Sequence, residues 1–206
     1  MPEFRKLLDG YRSFLADDYS TERQRWEALA GGQEPPVMII ACCDSRVDPA
    51  TIFATQPGQA FVLRNVANLV PPYEPGGGLH GASAAIEFGV TGLGVRHVVV
   101  MGHEACGGIK AALTIRSHGD DQSFVDHWMS ILDSARDDVL GDDSVADKQT
   151  ALELMAIRQS LANLRTFPFV AQREAAGELT LHGCHFSIFK GQLLLLAEAD
   201  GSFAPA

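Results

Sequence analysis

The stretch Val37-Met38-Ile39-Ile40-Ala41-Cys42-Cys43-Asp44-Ser45-Arg46 constrains this chain more than any other. Bulky apolar residues give way within a few positions to thiols, a carboxylate and a guanidinium. Such a run reads as a buried parallel strand that empties into a loop, which places the chain among α/β folds. In open α/β sheets, sites are built at the carboxyl ends of strands. If extended geometry persists past the strand, side chains alternate with period two. Cys42, Asp44 and Arg46 then share one face, while Cys43 and Ser45 point away.

A second apolar run, His97-Val98-Val99-Val100-Met101-Gly102, leads directly into His103-Glu104-Ala105-Cys106-Gly107-Gly108. His103 and Cys106 are close enough in sequence to grip one metal from a single turn. With Cys42 they make a Cys₂His set, the pattern of catalytic zinc, in which three protein ligands leave a fourth position open. Each half alone is weak, because a lone cysteine at a strand end is usually an inert buried thiol. The two halves together point to Zn²⁺, one per chain. A carboxylate such as Asp44 can orient a hydroxide by accepting its proton, and the Arg46 fork can fix that carboxylate. The plain alternative is a structural salt bridge. Two thiolates also put more negative charge on a zinc than three imidazoles would, which raises the pKa of its water and calls for compensation.

At this point the sequence resembles the β class of carbonic anhydrases. The C-x-D-x-R and H-x-x-C pair is that family's signature, and it lies within a longer matching segment from Gln33 to Leu113 that includes Phe61-Val62-Leu63-Arg64-Asn65-Val66-Ala67-Asn68-Leu69-Val70-Pro71. The resemblance implies Cys42, His103 and Cys106 as zinc ligands, with Asp44 and Arg46 as the catalytic pair. The reaction it implies is attack of zinc-bound hydroxide on CO₂ to give bicarbonate and a proton. Gln33, Phe61, Val66, Phe88 and Gly107 match substrate-pocket positions, some of them contributed across a dimer interface, with Phe88 where a Tyr is usual. The branch regulated by bicarbonate carries a Trp, an Arg and a Tyr where this chain has Ile39, Arg64 and Phe186. Only Arg64 fits, so the chain looks more like the plant-type, constitutively open branch. The alternatives are a CS₂ or COS hydrolase on the same scaffold, and a noncatalytic zinc or thiol-redox binding protein.

Composition agrees with a single domain. A chain of 206 residues, 46% hydrophobic and 20% charged, can bury a substantial core. Its net charge of −10 argues against a nucleic-acid surface. No apolar stretch long enough to span a membrane appears, and Met1-Pro2-Glu3-Phe4-Arg5-Lys6 lacks the layout of a secretory signal. Cysteines at 42, 43, 106 and 184 do not form a disulfide framework. Thiols kept free for zinc place the protein in the cytoplasm.

The expected architecture is one α/β domain with four parallel strands, an antiparallel edge strand and flanking helices. It divides into an N-terminal helical arm (1–32), a zinc-site core (33–116) and C-terminal helices and edge strands (117–206). Phe4, Leu7, Leu8, Tyr11, Phe14 and Leu15 make an amphipathic helix. Asp17 to Ser20 breaks it, and Thr21 to Gln24 caps a second helix. The resemblance implies that these helices embrace a partner subunit in a homo-oligomer built from dimers. A helix over 82–90 and a helix opening at Cys106 flank the second strand. One helix lies in the acidic stretch from His118 to Lys148, another runs from Leu152 to Leu164, and Thr166 to Val170 ends it. Strands over 179–186 and 192–196 form a hairpin at the sheet edge. Cys43 is expected as a buried neighbour of the ligand, Cys184 and His185 point to opposite faces, and His80, His97, His118 and His127 show no partner.

Overall fold

The first apolar run forms β1 (Val37–Cys42), buried along nearly its whole length. It lies between β2 (Ala60–Asn65) and β3 (His97–His103), parallel to both, with Val37 level with Ala60 on one side and His97 on the other. Beyond β3 comes β4 (Thr180–Ser187), also parallel, then the antiparallel β5 (Gln192–Leu196) and β6 (Phe203–Pro205). The sheet order is β2-β1-β3-β4-β5-β6. From β1 the chain moves outward to β2 and then returns to the other side of β1. The carboxyl ends of β1 and β3 therefore flank the point where strand order reverses, the place where such sheets build sites. This computed structural model describes residues 1–76, 78–114 and 123–206.

The four parallel strands and the hairpin agree with the sequence expectation. The edge is one strand longer than expected, because a turn at Gly201, with φ of +72°, folds 203–205 back onto β5. Pro205, which has no N–H to donate, sits on this outermost strand.

Side-chain alternation divides the core into two layers. Met38, Ile40, Val98 and Val100 face Ile86, Val90, Ile157 and Leu161. Ile39, Ala41, Met101 and Cys184 face Ile109, Ala112, Leu132 and Ala135. Beyond the short α3 (Pro49–Ile52), which follows β1, the helices that supply these partners are α4 (Gly81–Glu87), continued by a π turn over Phe88–Gly92, α5 (Gly107–Thr114), α7 (Asp133–Gly141) with the turn before it that carries Leu132, and α8 (Lys148–Leu164). α8 approaches the sheet closely because Gly102 and Gly183 have no side chains. A Cβ at either position would stand 2.8 Å from an Ile157 side-chain carbon.

Three local expectations change. The acidic stretch holds two helices, α6 (Phe124–Met129) and α7, joined by a 3₁₀ turn at Ser130–Leu132. Residues 115 and 118–122, where the preceding helix and this stretch were expected to end and begin, lie outside the described residues. Thr166 to Val170 does not merely end α8. Pro168 opens α9 (Pro168–Ala175), where its fixed φ suits a first helical turn. Among the first residues, α1 (Pro2–Phe14) runs through Asp17 in a π turn, Leu15–Tyr19, and Ser20 Oγ donates to the Asp17 carbonyl at 3.2 Å. The break comes at Glu22, which precedes α2 (Arg23–Ala30) without the expected side-chain cap.

Met1–Glu34 and Pro35–Ala206 form separate compact units. In the first, Phe14 and Trp26 meet edge to face at 5.3 Å, while Phe4, Leu7, Leu8 and Tyr11 stand exposed.

Candidate metal centre

Cys42 ends β1, His103 ends β3, and Cys106 follows one turn later at the entry to α5. Their donor atoms all lie within 4.8 Å of one another, and all three residues are buried. The two Sγ atoms are 3.9 Å apart. Among the described residues, no other group of three or more His, Cys, Asp or Glu side chains could hold a metal ion.

The ring of His103 is oriented by its own loop. Nδ1 lies 2.9 Å from the Glu104 carbonyl, a partner that can only accept, so Nδ1 carries the proton. Nε2 is then left with a lone pair, buried and without any hydrogen-bond partner. A buried orphan nitrogen beside two thiol sulfurs is costly unless something is bound there. The donor set and the orphan nitrogen fit zinc.

Backbone amides turned toward the sulfurs supply the charge compensation that two thiolates require. Asp44 and Ala67 amides hydrogen-bond Cys42, and Gly108 and Ile109 amides at the start of α5 hydrogen-bond Cys106. Ala67 reaches its place through a left-handed pair, Ala67 at φ +61° and Asn68 at φ +51°. Ser160 Oγ holds that pair by donating to the Asn68 carbonyl at 3.2 Å. The Cys42 thiol is held low, chiefly by its hydrogen bond with Cys106, against the opposing effect of burial. Cys106 is pushed up, first by that same bond and then by burial.

Beside the triangle, Asp44 and Arg46 form a two-pronged pair. Arg46 Nε donates to Oδ1 at 2.9 Å and Nη2 to Oδ2 at 2.7 Å. These bonds hold the Asp44 carboxyl well below the usual carboxylate range. The expectation that continued extended backbone unites Cys42, Asp44 and Arg46 is not met. Strand geometry ends at Cys42, and the Val47 amide donates to the Asp44 carbonyl in a turn. Asp44 Oδ1 also accepts the Arg46 amide at 2.9 Å, so a side-chain-stabilised turn makes the pairing.

Cys43 corrects a second expectation: it is exposed rather than buried. With Arg64, Asn65, Val66 and Trp128 it lines an open cavity of about 1030 Å³. Val66 is fixed there by Trp128 Nε1, which donates to its carbonyl at 2.8 Å. Gly107 is the first residue of α5, adjacent to Cys106. Phe61 and Phe88 pair with each other at 5.8 Å and are not part of that cavity wall. Gln33 belongs to the other compact unit.

Several contacts escaped sequence reasoning. Arg64 braces the first loop, donating to the Cys42 carbonyl at 3.0 Å, the Asp44 carbonyl at 2.6 Å and Asp48 Oδ2 at 3.0 Å. Glu104 Oε2 accepts from Ser187 Oγ at 2.8 Å and from the Phe189 amide at 2.9 Å, tying the second loop to β4. His97, expected without a partner, lies 3.2 Å from His182. Cys184 is an inert core thiol, pushed up to about 12 by burial.

A mostly parallel sheet with a Cys–His–Cys group at its switch point defines an α/β protein with a candidate metal centre. Comparison with known proteins narrows it. A family model described as carbonic anhydrase matches residues 37–193. Beta carbonic anhydrase 3 of Arabidopsis thaliana is 34% identical over 98% of this chain and 79% of its own length. The structure of the β-carbonic anhydrase CcaA superposes with a TM-score of 0.93 at 31% identity, covering 100% of this chain and 93% of that one. A tetrameric β-carbonic anhydrase from the filamentous ascomycete Sordaria macrospora gives 0.84 at 29% identity, over 99% and 100%. The chain belongs to the carbonic anhydrase family, as an enzyme of the β class.

Proposed function

We propose that this chain catalyses the reversible hydration of CO₂ to bicarbonate, with one zinc held by Cys42, His103 and Cys106. The observation that carries the reading is the buried, unpartnered His103 Nε2 facing two sulfurs whose charge is already met by backbone amides. When bound, zinc supplies a Lewis acid that makes a water acidic near neutral pH.

The remaining work falls to Asp44 and Arg46. Kept ionised by Arg46, Asp44 can only accept hydrogen bonds. It therefore selects an oxygen that carries a proton and aims that oxygen's lone pair away from itself. Arg46 spends its fork on the carboxylate and so fixes the direction of that acceptor. Val66 and Gly107 border the place where a small apolar substrate would enter.

The same reading assigns Gln33, Phe61 and Phe88 to the substrate pocket, with some pocket positions contributed across a dimer interface. Phe88 is half exposed and brings no hydroxyl, so that wall is apolar. The exposed Phe4, Leu7, Leu8 and Tyr11 on α1 support a dimer in which residues 1–32 act as an arm, 33–116 as the zinc core and 117–206 as the supporting helices and edge. The Sordaria relative is described as tetrameric. Free thiol ligands favour the cytoplasm, and among the described residues no helix is long and apolar enough to cross a membrane.

Stopped-flow CO₂ hydration between pH 6 and 9, on protein of measured zinc content, tests the proposal. Turnover that depends on zinc and vanishes in Cys42→Ala is expected. One zinc per chain without turnover at any pH would overturn it and favour CS₂ or COS as substrate.

A further inference from the structure

Behind Cys106 lies a buried polar cluster that the proposed reaction does not use. Glu153 of α8 is 2% exposed and His185 of β4 is 4% exposed, and neither is needed to ligate the metal. Glu153 Oε1 accepts the Cys106 amide at 3.0 Å and Gln149 Nε2 at 2.8 Å. Oε2 is hydrogen-bonded to His185 Nε2 at 3.0 Å. Gln149 Nε2 also reaches the Cys106 carbonyl at 3.0 Å.

The opposite end of the same peptide unit is also held. The Ala105 carbonyl accepts Arg46 Nη2 at 3.1 Å, and Ala105 sits at φ +56°, where a residue with a Cβ is strained. One peptide group is thus pinned at its oxygen by the residue that orients Asp44 and at its N–H by a buried carboxyl. Without the second pin, the peptide can rotate about the Cα–C bond of Ala105 and the N–Cα bond of Cys106. That rotation would displace both Cys106 Sγ and the Arg46 guanidinium.

We propose that Glu153 is a positioning residue, held by His185 and Gln149, that clamps the Ala105–Cys106 peptide and so fixes Cys106 against the metal and Arg46 against Asp44. The inference rests on the zinc reading above. It extends that reading from the donor atoms to the support that sets their geometry, a layer whose loss commonly weakens metal binding about 10- to 100-fold.

The test compares Glu153→Leu, Glu153→Gln and wild type as zinc-loaded full-length protein, with Val170→Ala as a core control remote from the site. Zinc transfer to a chromophoric chelator is the first readout. The second is the thiolate-to-metal absorption of the cobalt-substituted protein. Glu153→Leu should release zinc about 10- to 100-fold faster and shift the cobalt spectrum. Glu153→Gln keeps an oxygen acceptor for the Cys106 amide and should stay near wild type, as should Val170→Ala. A folded Glu153→Leu protein with wild-type release and spectrum overturns the clamp. So does equal acceleration in Glu153→Gln or Val170→Ala. If Glu153→Leu does not fold, His185→Phe decides: it removes one of the bonds that hold Glu153, and unchanged release overturns the proposal. If wild-type protein binds no zinc, the functional reading fails instead. Amide hydrogen exchange at Cys106 in metal-free protein then judges the clamp, with protection in wild type and its loss in Glu153→Leu expected, and equal exchange in both overturning it.

Discussion

Arg46 donates to the Ala105 carbonyl at 3.1 Å, a bond that spans 59 residues and joins the two loops carrying the Cys–His–Cys group. Neither loop is ordered by its strand alone. The first leaves the sheet at Cys42 and turns back on itself, and the second passes through a left-handed residue before entering α5. Each also draws support from outside itself, through Arg64 on one side and Glu104 and Glu153 on the other.

Arg46→Lys tests that link directly. A single ammonium cannot serve both carboxylate oxygens and the Ala105 carbonyl in the fork geometry. The expected outcome is retained zinc with kcat lowered about 10- to 100-fold, the scale of a small misplacement of reacting groups. Zinc assay alongside stopped-flow hydration checks it.

Asp44→Asn should leave the metal in place and remove most turnover, by about 100-fold or more. An amide can donate as well as accept, so it no longer selects a protonated oxygen. Equal loss of metal and activity would instead make Asp44 a structural residue.

Zinc should also stabilise the fold. A ligand that binds only the native state contributes about 2.7 kcal/mol when its free concentration is 100 times Kd. Thermal unfolding with and without a chelator should show that shift in wild type. Cys42→Ala should show little of it.

Gly183→Ala should destabilise the protein by about 1–3 kcal/mol through overpacking. The added Cβ would lie 2.8 Å from Ile157 Cγ2 and 2.9 Å from Leu196 Cδ2. Ile157→Ala, which removes the Cγ2 methyl from the contact, should therefore cost less stability in the Gly183→Ala background than in wild type, measured by urea unfolding.

The His97–His182 pair sets a pH dependence away from the metal. Partial burial, and then the neighbouring His97, lower the pKa of His182. Its neutral form is therefore favoured in the folded state, and the unfolded chain binds more protons just below the ordinary histidine value of about 6.5. This contribution to stability is complete above that value and is lost as pH falls toward the folded pKa. His182→Gln should flatten the acid-side slope of stability, measured by denaturant unfolding at pH 5 to 7.5.

The parts whose signals are local were legible before folding was considered. Unbroken apolar runs could only be satisfied by burial on both faces, which made Val37–Cys42 and His97–His103 central parallel strands. Thiol and imidazole at their ends then pointed to one metal. The buried stripe of α8 was also readable, as Glu153, Ala156, Ile157, Ser160, Leu161 and Leu164 recur at helical spacing. A carboxyl on that stripe was the available sign of a buried partner.

The rest depends on groups distant in sequence and was set by the folded chain. Period two did not bring Arg46 to Asp44; a turn closed by Asp44 Oδ1 did. Cys43 became exposed because the chain leaves the sheet after Cys42, whereas alternation assumes extended backbone as far as Arg46. The partner of Glu153 could not be read from α8, since His185 arrives from β4, 32 residues away. Burial and periodicity are properties of a segment, whereas the hydrogen bonds that aim a side chain belong to the folded surroundings.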